Sequence, residues 1–281
     1  MWCIGIFFSL LVLTTSADQN GNDEYSLSSK NIADLRLKMS AMGNILEGLE
    51  RNRDRLEQKS FPFSCAASMW STKLVIRVPE YSEYPFKVVC DQRDFGGGWT
   101  VFYRRIDGSE DFNRNWTEYK NGFGHLNNDF FLGFDKLHAI TYSEAQELMV
   151  LLEDSNTGTY RIRYNHFKIG PEQSNYTLES LGSFLGESYV VDFLTDLLGM
   201  QFRTKECYND ASAKKCVVKF HATGWDRYCE GTTYPNGLFG VDDKVMDERH
   251  MRILSPYHSA PQRKITMMMI RPQNSYLNRD F

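Results

Sequence analysis

Four side chains in the last third of the chain, Cys207, Cys216, His221 and Cys229, are of the types that ligate metals or form disulfides. Zinc sites built from such residues use closely paired ligands of the C-x-x-C kind, and these spacings do not match them. In an oxidising compartment the same thiols pair with each other instead. No Gly-x-Ser-x-Gly nucleophile turn and no Cys-His pairing suited to catalysis is visible. The one glycine run, Gly96-Gly97-Gly98, leads into a strand-like segment rather than a helix, so it is not a phosphate-cradling loop. Two sequons, Asn115-Trp116-Thr117 and Asn175-Tyr176-Thr177, offer acceptors for N-linked glycan. The chemistry on offer is cross-linking, modification and binding; an enzyme is not expected.

The compartment is read from the start of the sequence. Ile4 to Leu13 is an apolar run too short to span a bilayer and of the length of a signal-peptide core, followed by the small residues Thr15-Ser16-Ala17. Residues 1–17 are therefore expected to be removed, giving a secreted, extracellular protein with no membrane span. Loss of Cys3 leaves five cysteines, an odd count, so one thiol stays free or pairs between chains. A formal charge of −4 over 281 residues gives no electrostatic reason to expect nucleic acid as a partner. Aromatic residues make up 14% of the sequence, which points to a large, irregular core and less often to a stacking surface for sugars.

The elements that must position these residues fall into two parts. After a polar leader from Asp18, residues Ile32, Leu35, Met39, Met42, Leu46, Leu49, Arg53 and Leu56 follow the alternating three- and four-residue spacing of a heptad seam. That pattern predicts a short coiled coil within 18–60, and a homo-oligomer joined through residues 32–56. Phe61-Pro62 ends the helix, because proline and its predecessor resist helical geometry. Beyond it the signals are strands and turns: Lys73–Val78 halted by Pro79, Phe86–Cys90, Trp99–Tyr103, Glu147–Leu152, Thr159–Tyr164 and Ile265–Pro272. Asp135–Ile140 reads as a short helix with an aspartate cap. A Cys65–Cys90 disulfide would close the segment between those two residues. Strands and helices do not alternate regularly, so the class is α+β.

The run Cys90-Asp91…Gly96-Gly97-Gly98-Trp99-Thr100-Val101…Arg104-Arg105…Asp111-Phe112…Arg114-Asn115-Trp116…Gly122-Phe123-Gly124 resembles the fibrinogen C-terminal globular domain. Phe131-Leu132-Gly133, Asp135-Lys136-Leu137-His138, Gly199-Met200-Gln201-Phe202 and Met269-Ile270-Arg271-Pro272 carry the resemblance onward. The family includes fibrinogen, ficolins, tachylectins, tenascins and angiopoietins. The resemblance implies one domain over 61–274, followed by a tail at 275–281. It also implies a mixed or antiparallel twisted sheet with short helices, and Cys65–Cys90 and Cys216–Cys229 disulfides. Cys207 is an extra cysteine that could bridge chains, rearrange the second pairing or stay free.

Calcium and ligand sites of the family lie in the last third. The segment Phe202 to Cys216 keeps the length of the calcium loop, but Tyr208 replaces its first carboxylate and Asp210 alone remains of the pair. Asp210 with Glu206 or Asn209, and the carbonyls of Ser212 and Lys214, form a degenerate calcium set, poor against the six to eight oxygens calcium prefers. No other cofactor is implied. In acetyl-sugar-binding members the pocket lies between the last two cysteines. Here Phe220 stands for a tyrosine, Asp226 for a second tryptophan, and Glu230 follows Cys229, while Asn236-Gly237 is kept. The candidate ligand set is Phe220, His221, Trp225, Tyr228, Glu230 and Asn236. The resemblance implies a lectin-like recognition protein for extracellular glycans or glycoproteins, with innate defence as its setting. The alternative is a signalling or adhesion ligand of angiopoietin or tenascin type that binds a cell-surface receptor.

Overall fold

The computed structural model describes residues 29–78, 84–154, 158–186, 192–206, 223–225, 233–234, 252–253 and 264–273. The expected signal peptide and tail lie outside these residues. The polypeptide divides at Arg53/Asp54 into two units.

Helix α1 runs over Ser29–Ser60. Its apolar side chains are left uncovered: Leu35, Met39, Met42, Leu46 and Leu49 are each more than half exposed, whereas such residues normally find a buried face. Opposite charges one turn apart support the helix, with Lys38 Nζ 2.6 Å from Asp34 Oδ2.

The second unit is built on an antiparallel sheet. Strands β1 (Thr72–Ile76), β2 (Phe86–Asp91) and β3 (Trp99–Arg104) form its first flank. Helix α2 (Trp116–Asn121) and the two-residue strands β4 (Phe123–Gly124) and β5 (Phe130–Phe131) follow. Helix α3 (Phe134–Ser143) leads to the long hairpin of β6 (Gln146–Asp154) and β7 (Gly158–Ile169). Short strands β8 (Leu178–Ser180) and β9 (Phe184–Gly186) edge β7. The pairs β10 (Phe202–Arg203) with β11 (Gly224–Trp225), and β12 (Thr233–Tyr234) with β13 (Arg252–Ile253), stand apart from the main sheet. The last strand, β14 (Lys264–Pro272), inserts between β3 and β6, so the order is β1-β2-β3-β14-β6-β7-β8.

The expected strands are present, with changed ends. β1 stops at Ile76, and the Arg77 N–H turns to the Pro62 carbonyl at 2.9 Å. β7 runs on to Ile169: its alternation breaks at Asn165 and His166, where the pairing with β6 shifts register, and resumes with Phe167 and Ile169 buried. Helix α3 has no aspartate cap. Gly133 is its N-cap, at φ 108°, where a Cβ would lie 2.6 Å from the Asn121 carbonyl, and Asp135 sits inside the first turn. The Cys65–Cys90 disulfide is formed, with Cα atoms 5.4 Å apart.

The aromatic surplus fills the core: Trp99, Phe102, Phe112, Tyr119, Phe130, Phe134, Tyr164 and Phe167 are fully buried. Among them lies a charged clamp. Arg271 donates from Nε and Nη2 to Glu147 Oε1 at 2.8 and 2.6 Å. Its Nη1 donates to the carbonyls of Phe95 and Gly97 at 2.6 and 2.8 Å, and the guanidinium lies 4.2 Å over the Trp99 ring. The glycine run serves this clamp. Gly96, Gly97 and Gly98 all have φ near 80°, and a Cβ on Gly97 would meet Gln92 Oε1 at 2.2 Å. Gln92 closes the arrangement by accepting from the Gly98 N–H and donating to the Cys65 carbonyl.

Candidate functional site

Of the candidate ligand residues, Trp225 is within the described structure. Strand pairing sets it opposite Phe202, and it is half-buried. Its indole N–H donates to the Tyr176 carbonyl at 2.8 Å. Its ring meets Phe134 and Phe202 edge-on at 5.6 and 5.5 Å between centroids.

Tyr176 is the hub of this junction. It is buried, follows Asn175 in the left-handed region, and itself has φ 46°, an uncommon conformation for a bulky residue. Several bonds hold it there. The Tyr176 N–H donates to the Pro171 carbonyl at 3.1 Å, the Phe202 N–H to the Asn175 carbonyl at 2.9 Å, and the Tyr176 hydroxyl to Asp135 Oδ1 at 2.6 Å. Burial and then the Asp135 carboxylate push the phenol well above its ordinary pKa, so it stays a donor at neutral pH. The ring is sandwiched between Phe134 at 4.9 Å and Trp116 at 5.4 Å.

Trp116 opens α2, a helix started by a reciprocal capping box. Asn115 Oδ1 accepts from the Glu118 N–H, and the Asn115 N–H donates to Glu118 Oε2, each at 2.9 Å. The Trp116 indole donates to Glu172 Oε1 at 3.0 Å, and Lys120 bonds the same carboxylate. The Lys120 ammonium and then the Trp116 N–H hold Glu172 below its ordinary pKa.

Glu206, expected in the calcium set, is also tied here: its Oε2 accepts from the Trp116 backbone N–H at 3.1 Å. Among the described residues, no group of three His, Cys, Asp or Glu side chains is placed to hold a metal ion. Asn209, Asp210, Ser212 and Lys214 lie outside the described residues. So do Phe220, His221, Tyr228, Glu230 and Asn236, together with Cys207 and the expected Cys216–Cys229 bridge.

Trp225, Phe202, Phe134, Leu197 and Met268 line a small apolar cavity of about 30 Å³. A water occupies on the order of 10–15 Å³ on this scale. The cavity has no room for a sugar ring, so a ligand at Trp225 would have to be met at the surface.

The junction was largely hidden in the sequence. Tyr176 was visible only as the middle of a sequon. Helix α2 has one sequence signal, the Asn115…Glu118 spacing of a capping box.

A sheet with its last strand at the centre, a disulfide before a three-glycine turn and an aromatic junction at Trp225 describe a fibrinogen-like globe. The protein belongs to the family of the C-terminal globular domain of fibrinogen beta and gamma chains, which it matches over residues 66–273. Fibrinogen C domain-containing protein 1 of Macaca fascicularis and of Homo sapiens is in each case 40% identical over 165 residues. Those residues are 56% of this chain and 37% and 35% of the relatives. Ryncolin-4 of Cerberus rynchops is 38% identical over 201 residues, 69% of this chain and 57% of its own. The protein thus spans between about a third and somewhat over half the length of these curated relatives. Among solved structures, the fibrinogen-like globe of human ANGPTL2 superposes with a TM-score of 0.65 at 28% identity, covering 75% of this chain and 99% of that one. The lamprey fibrin D-dimer, solved with the peptide Gly-His-Arg-Pro-amide, has a TM-score of 0.61 at 23% identity, covering 90% of this chain and 89% of that one. At that identity it shows the fold alone.

Proposed function

We propose that the protein is a secreted, lectin-like recognition protein that binds extracellular glycans or glycoproteins, with innate defence as its setting. The observation that carries the reading is the anchoring of Trp225. With its N–H committed to the Tyr176 carbonyl, the half-buried indole is fixed as a rigid apolar wall, the kind of surface that small-ligand sites pair with a few aimed polar groups. Binding does not require calcium in this reading, because Tyr208 stands where the calcium loop has its first carboxylate. Acetylated sugars and microbial surfaces titrated against the purified protein, with calcium and with chelator, test it. Saturable binding in both, weakened by Trp225→Ala, is expected; no binding in either overturns it.

A second reading is a signalling or adhesion ligand for a cell-surface receptor. The likeness to the ANGPTL2 and ANGPTL6 globes, at 28% and 26% identity, favours it. Recovery of one receptor by the intact protein, together with no sugar binding, would select it.

The protein self-associates through residues 32–56 in either reading. The exposed seam of α1 supports this, since Leu35, Met39, Met42, Leu46 and Leu49 are the apolar positions that a second helix would cover in a coiled coil. Light scattering of the mature protein and of a form lacking residues 18–60 checks it: the first is expected to be a multimer and the second a monomer, and equal states would refute it.

A further inference from the structure

The two sequons, 60 positions apart in the sequence, are brought together by the rings between their acceptor and threonine positions. Trp116 of the first stacks on Tyr176 of the second, 5.4 Å between centroids and 26° from parallel. Each asparagine is one residue from a ring of that stacked pair, about 3.8 Å from Cα to Cα. Asn175 is exposed, and its side chain makes no hydrogen bond among the described residues. Asn115 uses Oδ1 to cap α2, which leaves Nδ2 without a hydrogen bond among the described residues. An N-linked sugar replaces one Nδ2 proton and leaves Oδ1 an acceptor, so the cap and the glycan are compatible. Glu172 and Lys120 at the edge of the stack keep this face polar and half-exposed.

We propose that Asn115 and Asn175 form a paired N-glycan acceptor site, two oligosaccharides attached side by side over the Trp116–Tyr176 stack and each shielding the other. The step is a glycosyl transfer from a lipid-diphosphate-linked oligosaccharide, the donor of the secretory pathway. The anomeric C–O bond to the diphosphate breaks, a C–N bond to Nδ2 forms, and the displaced proton leaves with the diphosphate. Transfer takes place on the polypeptide before it folds, so the folded structure decides only whether both sugars can be carried.

The proposal rests on the secretion part of the proposed function and not on its ligand. The full-length protein is therefore given an unrelated cleavable secretion signal in place of residues 1–17, so that it meets the donor whatever its own leader does. Peptide mapping by mass spectrometry of the secreted protein should find both asparagines occupied. Thr117→Ala and Thr177→Ala, which leave both asparagines and the α2 cap in place, should each lose one glycan. Under native conditions, an amidase that cleaves the sugar–asparagine bond should release the remaining glycan of either single variant severalfold faster than the wild type loses its glycans. The rates should become equal after denaturation. Asn175→Gln serves as the second variant if Thr177→Ala fails to fold. An unmodified Asn115 or Asn175 in the wild type, or equal native rates in wild type and single variants, overturns the proposal. Sugar binding, present or absent, bears on neither outcome.

Discussion

The clamp around Arg271 and the junction around Tyr176 use the same parts for opposite ends. Both hold distant segments together with an aromatic face, a carboxylate and a backbone carbonyl. In the clamp Arg271 and Glu147 are almost completely buried and the donors of Arg271 go to Glu147, Phe95 and Gly97, while at its rim the half-exposed Arg163 meets Glu147 Oε2 at 3.3 Å. In the junction Tyr176 is buried, but Trp116, Glu172, Lys120 and Trp225 around it remain half-exposed. A buried charge pair gains its geometry by giving up solvent, and so can do nothing but hold. The junction keeps one side open, and it is there that the candidate ligand residue and both sequon asparagines lie. Commitment to structure and availability for binding are separated by how many partners of each group are protein.

The largest expected effect lies on the closed side. Arg271→Met leaves the buried Glu147 carboxylate with Arg163 alone, Nε 3.3 Å from Oε2, and should cost about 3 kcal/mol in urea unfolding. Adding Glu147→Gln should restore part of that and not all, because the carbonyls of Phe95 and Gly97 stay unsatisfied. Full restoration would break the contrast between clamp and junction. On the open side, Tyr176→Phe removes a bond to a carboxylate that water can reach, and should cost about 1–2 kcal/mol by the same measurement. A loss as large as that of Arg271→Met would make the two regions equivalent.

The smallest effect is a pH dependence. Glu172 has a depressed pKa in the fold, so its contribution is present above its ordinary value of 4.5 and is lost as pH falls below it. As an exposed ion pair it is expected to give no more than about 1 kcal/mol. Thermal midpoints at neutral pH and at about pH 3 should therefore fall slightly less for Glu172→Gln than for the wild type. Equal acid sensitivity would remove Glu172 from the account.

The sequence showed the scaffold far better than the site. β3, β6 and β14 were legible because β-branched and aromatic runs bounded by glycine and proline signal strands locally. The φ of the glycine turn was legible from residue type alone, and the Cys65–Cys90 disulfide from the family resemblance. Arg271 read only as part of a terminal strand, since its partners lie 124 and 176 positions away, beyond any local pattern. Helix α2 was missed because a helix of 6 residues has too few turns to show a period, and its aromatics resembled strand punctuation. The residue type of Asp135 predicts a cap, whereas its carboxylate serves Tyr176, 41 positions on. Trp225 was found by family pattern, but what fixes it, a carbonyl presented by a tyrosine in the left-handed region, has no sequence signature.

The position of β14 governs how the protein comes off the ribosome. The flank of β1, β2 and β3 and the hairpin of β6 and β7 are complete before Lys264 is synthesised, yet each lacks its neighbour on the inner side. Until the final strand emerges, the nascent polypeptide holds two open strand edges and a headless arginine clamp, the exposed state in which multistrand proteins aggregate. A polypeptide cut short anywhere before Ile265 is thus not a smaller version of this domain but two unfinished halves.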